Sequence, residues 1–283
     1  MSASFMEQNT EVQKLCARLR DLLSEQRGAN VPSGQVEAHG KRQSESHGKA
    51  PVPPAGFLFA PPLILGIDGM CGAGKTSLAA FLSERYSCSV VHADDFFLPP
   101  ELRTAERLSE PGGNIHYERL MEEVIRPLLH WKEKAGSEAF QLKTPAQTGV
   151  PSCEGVSPLE WAPSHEEMFS HKRSFSREGA SGLPSLSYRR FSCADMAYEK
   201  DPIVLPLTPL VLIEGSYSLR PEFRAAYDLS VFLSCSEEAQ RERILRRNGK
   251  ERLSMFESRW IPMENRYFDF FQIRDKADLI LHT

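Results

Sequence analysis

Apolar positions along this chain arrive in two rhythms. The run 63–68, Leu-Ile-Leu-Gly-Ile-Asp, is apolar and branched almost without interruption, as expected of a strand buried on both faces. Ser89-Val90-Val91-His92 is a shorter run of the same kind, and the segments 209–215, 227–233 and 277–281 complete the set. Between these runs the spacing becomes helical. Residues 77–82 begin a helix that the pattern carries to about Tyr86. Leu120, Met121, Val124, Ile125, Leu128 and Leu129 form one face of a helix over 116–132, after a loop at 99–115 that holds Pro111-Gly112-Gly113. Residues 237–247 read as a basic helix, and 251–271 as another, interrupted near Pro262. Strands alternating with helices predict an α/β fold: a doubly wound parallel sheet with helices on both faces.

Three stretches stand outside that alternation. Residues 10–27 have Val12, Leu15, Cys16, Leu19, Leu22 and Leu23 on one helical face, with Thr10 and Gln13 as a capping box and Gly28 just past the end. Such a helix either docks on the core beside the sheet or pairs with a second copy, which would make the chain a homo-oligomer. Residues 28–56 lack apolar periodicity and read as a flexible linker. Residues 142–187 are dominated by Ser, Pro, Gly and Thr and read as a disordered surface insertion. The expected layout is therefore a helix at 1–27, a linker at 28–56 and one domain at 57–283 that carries the insertion.

Composition narrows the function classes. A net charge of −4 over 283 residues argues against a general nucleic-acid or membrane-surface binder. The cysteines at 16, 71, 88, 153, 193 and 235 form no C-x-x-C pair, which fits a reduced compartment without structural zinc. Charged residues stud the first thirty positions, and no apolar run is long enough to span a bilayer. A cytoplasmic protein is expected.

The chemistry starts directly after the first strand. Gly69-Met70-Cys71-Gly72-Ala73-Gly74-Lys75-Thr76 matches G-x-x-x-x-G-K-[ST] in full and lies between a strand and a helix. Glycines at 69, 72 and 74 allow positive φ and close approach to an anion. Backbone N–H groups through Ala73 and on to Ser77 can then cradle phosphates at the positive end of the helix. Lys75 supplies a point charge to the outer phosphates, and Thr76 a hydroxyl to Mg²⁺.

A phosphate loop names a ligand and not a reaction. Transfer of a phosphoryl group to an alcohol also needs a metal site, a proton acceptor and positive charge over the moving group. Glu214, ending a strand, suits the Mg²⁺ site through water. Asp94, at the carboxyl end of another strand, suits the proton acceptor. Arg243, Arg246 and Arg247 suit a short basic lid. Each has a plainer reading: Asp94 and Asp95 as turn caps, Glu214 as an ordinary strand-end carboxylate, the arginines as a solvated helix face.

Together these segments resemble the uridine kinase and phosphoribulokinase family. The residues are 69–76, His92-Ala93-Asp94-Asp95-Phe96-Phe97, Leu212-Ile213-Glu214-Gly215-Ser216-Tyr217, Arg243-Ile244-Leu245-Arg246-Arg247 and Trp260-Ile261-Pro262-Met263-Glu264-Asn265. The Asp-Asp-Phe-Phe-x-Pro run is most similar to the nicotinamide riboside kinases of that group. The resemblance covers roughly 57–141 and 188–283. It implies a P-loop fold, ATP and Mg²⁺ as cofactors, and a small-molecule acceptor such as uridine. A vitamin precursor (nicotinamide riboside or pantothenate) and a sugar phosphate are the alternatives. It further implies Asp94 as general base, Glu214 as a Mg²⁺ contact, and Arg243 and Arg246 on the phosphates. His116 stands where nucleoside kinases grip the ribose with an aspartate, and Tyr188 where an aromatic residue lines the base pocket. Asp95 joins them as an expected acceptor contact. A nucleotide-binding regulator without transferase activity is the reading from another class.

Overall fold

The computed structural model describes residues 2–28, 61–143 and 184–283. The expected linker and residues 144–183 of the expected insertion lie outside the described residues, apart from Gly28.

The first helices are α1 (Ala3–Gln8) and α2 (Thr10–Gly28). The cap of α2 is Asn9 rather than Thr10: Asn9 Oδ1 accepts the N–H groups of Glu11 and Val12 at 2.9 and 3.0 Å. Gln13 reaches back to the Glu7 carbonyl and does not complete a capping box. Then come β1 (Leu63–Gly69), α3 (Lys75–Ser83) and β2 (Cys88–His92). The expected 99–115 loop contains the short α4 (Ala105–Ser109). The expected 116–132 helix is α5 (Tyr117–Leu120), a π turn at Met121–Ile125, and α6 (Arg126–Lys143).

Two small hairpins follow, β3 (Ser185–Tyr188) with β6 (Ile203–Pro206), and β4 (Phe191–Ser192) with β5 (Ala197–Tyr198). The insertion is therefore narrower than expected: Leu142 and Lys143 are helical, and residues 185–187 are strand. Pairing with β6 provides backbone partners that the Ser-rich composition of 185–187 did not advertise. The chain closes with β7 (Leu210–Glu214), β8 (Leu229–Ser234), α7 (Glu237–Met255), α8 (Ile261–Phe271), α9 (Ile273–Lys276) and β9 (Leu279–His282).

The main sheet is parallel, in the order β2-β7-β1-β8-β9. β1 lies at its centre and all seven of its residues are buried. Its side chains alternate between two apolar layers, as the pleat requires. Leu63, Leu65 and Ile67 face a layer built with Leu78, Leu82, Met6, Val12, Leu15 and Leu19. Ile64 faces a layer with Val91, Phe96, Val124, Leu128, Phe232 and Tyr267. The N-terminal helices are thus docked on the sheet, with Leu15 and Leu19 fully buried. Burial of each such leucine is worth about 1.5–3 kcal/mol.

Candidate active site

Three strands end at one cavity of about 660 Å³. β1 delivers the phosphate loop. Its last residue, Gly69, has φ 136°, and a Cβ there would sit 2.1 Å from the Leu233 carbonyl oxygen, so only glycine fits. Gly74, at φ 93°, turns the chain into α3, whose first turn carries Lys75, Thr76 and Ser77. Cys71, Gly72, Gly74, Lys75, Thr76 and Ser77 line the cavity. Gly69 and Ala73 sit beneath the loop, where the Ala73 N–H donates to Met70 O at 3.0 Å and the Gly69 N–H to Asp68 Oδ1 at 2.7 Å. Lys75 Nζ donates to the carbonyls of Gly69 and Met70 at 2.6 and 3.2 Å.

β7 delivers Glu214, whose buried carboxylate accepts from Thr76 Oγ1 at 3.2 and 3.3 Å and pairs with His92 Nδ1 at 2.5 Å. The hydrogen bond to Glu214 raises the His92 pKa above its ordinary value, against desolvation. The next residue, Gly215, has φ 140°; a Cβ there would meet Ala93 Cβ at 2.8 Å and Asp94 Oδ1 at 3.3 Å. That close approach brings the ends of β7 and β2 together.

β2 delivers Asp94 and Asp95 in one 3-10 turn, Ala93–Phe96. The two aspartates diverge. Asp94 lines the cavity with its side chain open to it, while protein surrounds it at longer range. That desolvation is the largest influence and pushes its pKa up to about 6; Lys75 and His92 oppose the rise, and Glu214 and Glu264 add to it. Asp95 points the other way and is buried, accepting from Arg190 Nε at 2.6 Å and from the Tyr188 hydroxyl at 3.3 Å.

Tyr188 is 3% exposed, stacked near Phe96, and does not line the cavity. His116 caps α5, accepting from Arg119 N at 3.4 Å and lying 3.2 Å from Glu118 Oε2. The structure therefore brings Lys75, Thr76, Asp94, Glu214, Arg243 and Arg246 to one cavity and leaves Asp95, Tyr188 and His116 off its wall. Their side chains meet the structure's own needs: an ion pair, a packed core ring and a helix cap.

The segment expected as a lid is α7 with the π turn Phe256–Trp260 that follows it. Arg243 Nη1 donates to Gly72 O at 3.2 Å, and Arg246 is largely exposed beside Glu242. Seven cationic side chains line the cavity, namely Lys75, Arg103, Arg243, Arg246, Arg247, Arg252 and Arg259, against the carboxylates Asp94, Glu214 and Glu264. That excess suits a ligand with several negative charges.

Two buried carboxylates missed by sequence reasoning hold the loop in shape. Asp68, fully buried, accepts from the N–H groups of Gly69, Tyr217 and Leu219 and from the Tyr267 hydroxyl. Burial pushes its pKa up to about 6, against those hydrogen bonds and Lys75. Glu264, on α8, accepts from Cys71 N at 2.9 Å and Ser216 Oγ at 2.7 Å, tying the phosphate loop to the end of β7. Asp68 closes an apolar strand run, and Glu264 lies in the quoted Trp260–Asn265 stretch; neither pattern names these partners.

Among the described residues, no group of three or more His, Cys, Asp or Glu side chains is arranged to hold a metal ion by itself. The Thr76 hydroxyl and Glu214 carboxylate are hard oxygen donors within hydrogen-bond distance of each other. They suit Mg²⁺, which takes one or two protein oxygens and completes its shell with water and phosphate.

No protein-family model matches the chain. It is 34% identical over 93 residues to nicotinamide riboside kinase 1 of Rattus norvegicus, covering 31% of this chain and 46% of that protein. For the Homo sapiens protein of that name the figures are 35% over 77 residues, 25% and 37%. The chain thus spans less than half the length of these curated relatives. Among solved structures, one described as a possible uridine kinase from Bacillus stearothermophilus is 19% identical, with 78% of this chain and 89% of that chain covered and a TM-score of 0.44. D-glycerate 3-kinase from Cryptococcus neoformans var. grubii is 14% identical, with 96% of each chain covered and a TM-score of 0.46. Numbered among themselves in chain order, the five sheet strands run 2-3-1-4-5, with the phosphate loop on the central one. The chain has an α/β P-loop NTPase fold.

Proposed function

We propose that this chain is an ATP-dependent kinase that transfers the γ-phosphoryl group to a hydroxyl of a small molecule. One observation carries the reading. Lys75, Thr76, Asp94, Glu214 and the arginines of α7 come from four separate parts of the chain and line one cavity. Those are the parts that phosphoryl transfer to an alcohol requires.

In this reading the N–H groups of the phosphate loop and Lys75 bind the β- and γ-phosphates. Thr76 and Glu214 hold Mg²⁺, which when bound supplies positive charge to the phosphate oxygens. Asp94, with a pKa near 6, is mostly ionised at neutral pH and accepts the proton of the attacking hydroxyl. Arg243, Arg246 and Arg247 stabilise the charge spread over the transferring group.

The test is ADP release on a panel of acceptors: uridine, cytidine, nicotinamide riboside, pantothenate, hydroxy acids and sugar phosphates. The local similarity to nicotinamide riboside kinase 1 puts that nucleoside on the panel by observation. A phosphorylated product that disappears in Asp94→Asn supports the reading. Nucleotide binding with no phosphorylated product from any acceptor overturns it, and leaves a nucleotide-binding regulator.

A further inference from the structure

The cavity wall outside the phosphate loop and α7 carries further polar groups. Arg103, in the loop after β2, is partly buried and donates from Nε to Leu98 O at 2.7 Å. Among the described residues, the partly or fully buried arginines 107, 119, 190 and 220 each pair with a carboxylate, at 2.6 to 2.9 Å. Arg103 and Arg243 have no such partner among the described residues, and both line the cavity. Arg243 reaches Gly72 of the phosphate loop. Arg103 instead is held against Leu98, four residues past Asp94, and lines the cavity with that aspartate.

Asn114 lines the same cavity and is 7% exposed, and its Oδ1 has no hydrogen-bond partner among the described residues. That oxygen is sealed from the cavity's open space, so Asn114 shapes the wall rather than reaching a ligand through Oδ1. The wall is completed by Cys193 and Met196, from the turn between β4 and β5. Among the described residues, Asp94 is the carboxylate that stands with these groups, and Asp95 is engaged with Arg190.

We infer that this wall is the acceptor subsite and that it takes an anionic hydroxy compound. A carboxylate or phosphate ester of the acceptor pairs with Arg103. A hydroxyl of the acceptor is presented to Asp94. In the transfer, the acceptor oxygen bonds to the γ-phosphorus, the bond from that phosphorus to the bridging oxygen of ADP breaks, and the hydroxyl proton passes to Asp94. A neutral nucleoside leaves Arg103 unpaired, and a pyridinium nucleoside sets a like charge against it. The inference rests on the kinase reading and names the substrate class of that site.

The test compares wild type with Arg103→Gln in two assays. The first is ADP release with glycerate and pantothenate (carboxylates), a pentose phosphate (a phosphate ester), uridine (neutral) and nicotinamide riboside (cationic). The expected result is the highest kcat/KM on an anionic acceptor. In Arg103→Gln the ratio of anionic to neutral kcat/KM falls by about tenfold to a hundredfold, mostly through KM, as expected for loss of a charged hydrogen bond. The carboxylate and phosphate arms identify which oxyanion is taken. Higher kcat/KM on uridine or nicotinamide riboside, an equal loss on all acceptors, or a rise confined to KM for ATP each overturn it.

The second assay is thermal shift, with a non-hydrolysable ATP analogue and Mg²⁺ filling the phosphate loop and the same acceptors added. A shift with an anionic acceptor that Arg103→Gln abolishes supports the subsite even if no ADP is released, in which case only the kinase reading fails. No shift with any anionic acceptor overturns the subsite.

Discussion

Asp94 gives the most direct experiment, because its ionisation and its proposed task are linked. Desolvation by the protein around the cavity, with the neighbouring Glu214 and Glu264, raises its pKa from 3.8 to about 6, against Lys75 and His92. A base must be ionised to accept a proton, so activity is present above that value and lost as pH falls through it. With a pKa near 6, about nine-tenths of the molecules carry the carboxylate at pH 7 and about one-tenth at pH 5. The pH profile of kcat/KM, measured as ADP release on the best acceptor, is expected to fall about tenfold for each unit below 6. Asp94→Asn keeps the shape of the side chain and removes the base, for an expected loss of about 10²–10⁴ in turnover. ATP affinity, measured by titration calorimetry, is expected to change far less, since the phosphate loop is untouched. His92 titrates nearby through its pair with Glu214, so His92→Gln is the control that separates the two groups. An acid limb near pH 4 in wild type would refute the argument, and so would an Asp94→Asn enzyme that keeps more than about a tenth of its turnover.

Three further substitutions probe the scaffold. Gly215→Ala places a Cβ 2.8 Å from Ala93 Cβ and 3.3 Å from Asp94 Oδ1 at a φ of 140°, and is expected to lower kcat at least about tenfold with a smaller change in KM for ATP. Asp68→Asn puts an amide NH2 where one carboxyl oxygen accepts two of the four donors; on the Oδ2 side the Tyr267 hydroxyl can turn but the Leu219 N–H cannot, and the change is expected to cost about 1–3 kcal/mol in urea unfolding at pH 5. Because the folded pKa of Asp68 is raised to about 6 from 3.8, its stabilising contribution is full below about pH 4 and declines as pH rises through 6; the gap between variant and wild type narrows by pH 8. Leu15→Ala removes a fully buried side chain between α2 and the sheet and is expected to cost about 2–5 kcal/mol; a loss under about 0.5 kcal/mol would mean that the helix merely rests on the domain.

The legible parts of this protein were those whose cause is local. A branched apolar run such as 63–68 has one stable destination, the middle of a parallel sheet, and the glycine spacing that follows it has a backbone reason that neighbours do not alter. The hairpins at 185–206 were hidden because strands of two to four residues carry too few positions for a period, and their stability comes from partners up to some twenty residues away. α7 runs through Gly249, whose φ of 80° marks a kink, so the helical segment continues past the expected end at 247. Within the site, Lys75, Thr76, Asp94 and Glu214 follow directly from loop and strand ends. Arg103, Asn114 and Glu264 do not: each acquires its place only when distant segments meet. The same reasoning explains Asp95 and Tyr188, which share a stretch with site residues but are claimed by Arg190 and the core.

The centre of the sheet has a consequence for how the chain is made. Both neighbours of the phosphate-loop strand lie far downstream: Leu63 pairs with Leu210 and Leu65 with Leu229. About 140 residues separate the end of that strand from the first of its partners. At ribosomal speeds that interval is roughly 7–28 s, during which a greasy ribbon has open edges on both sides. Nascent chains of this protein are therefore good clients for holding chaperones, and its yield on expression should respond to translation rate more than to the stability of the finished domain.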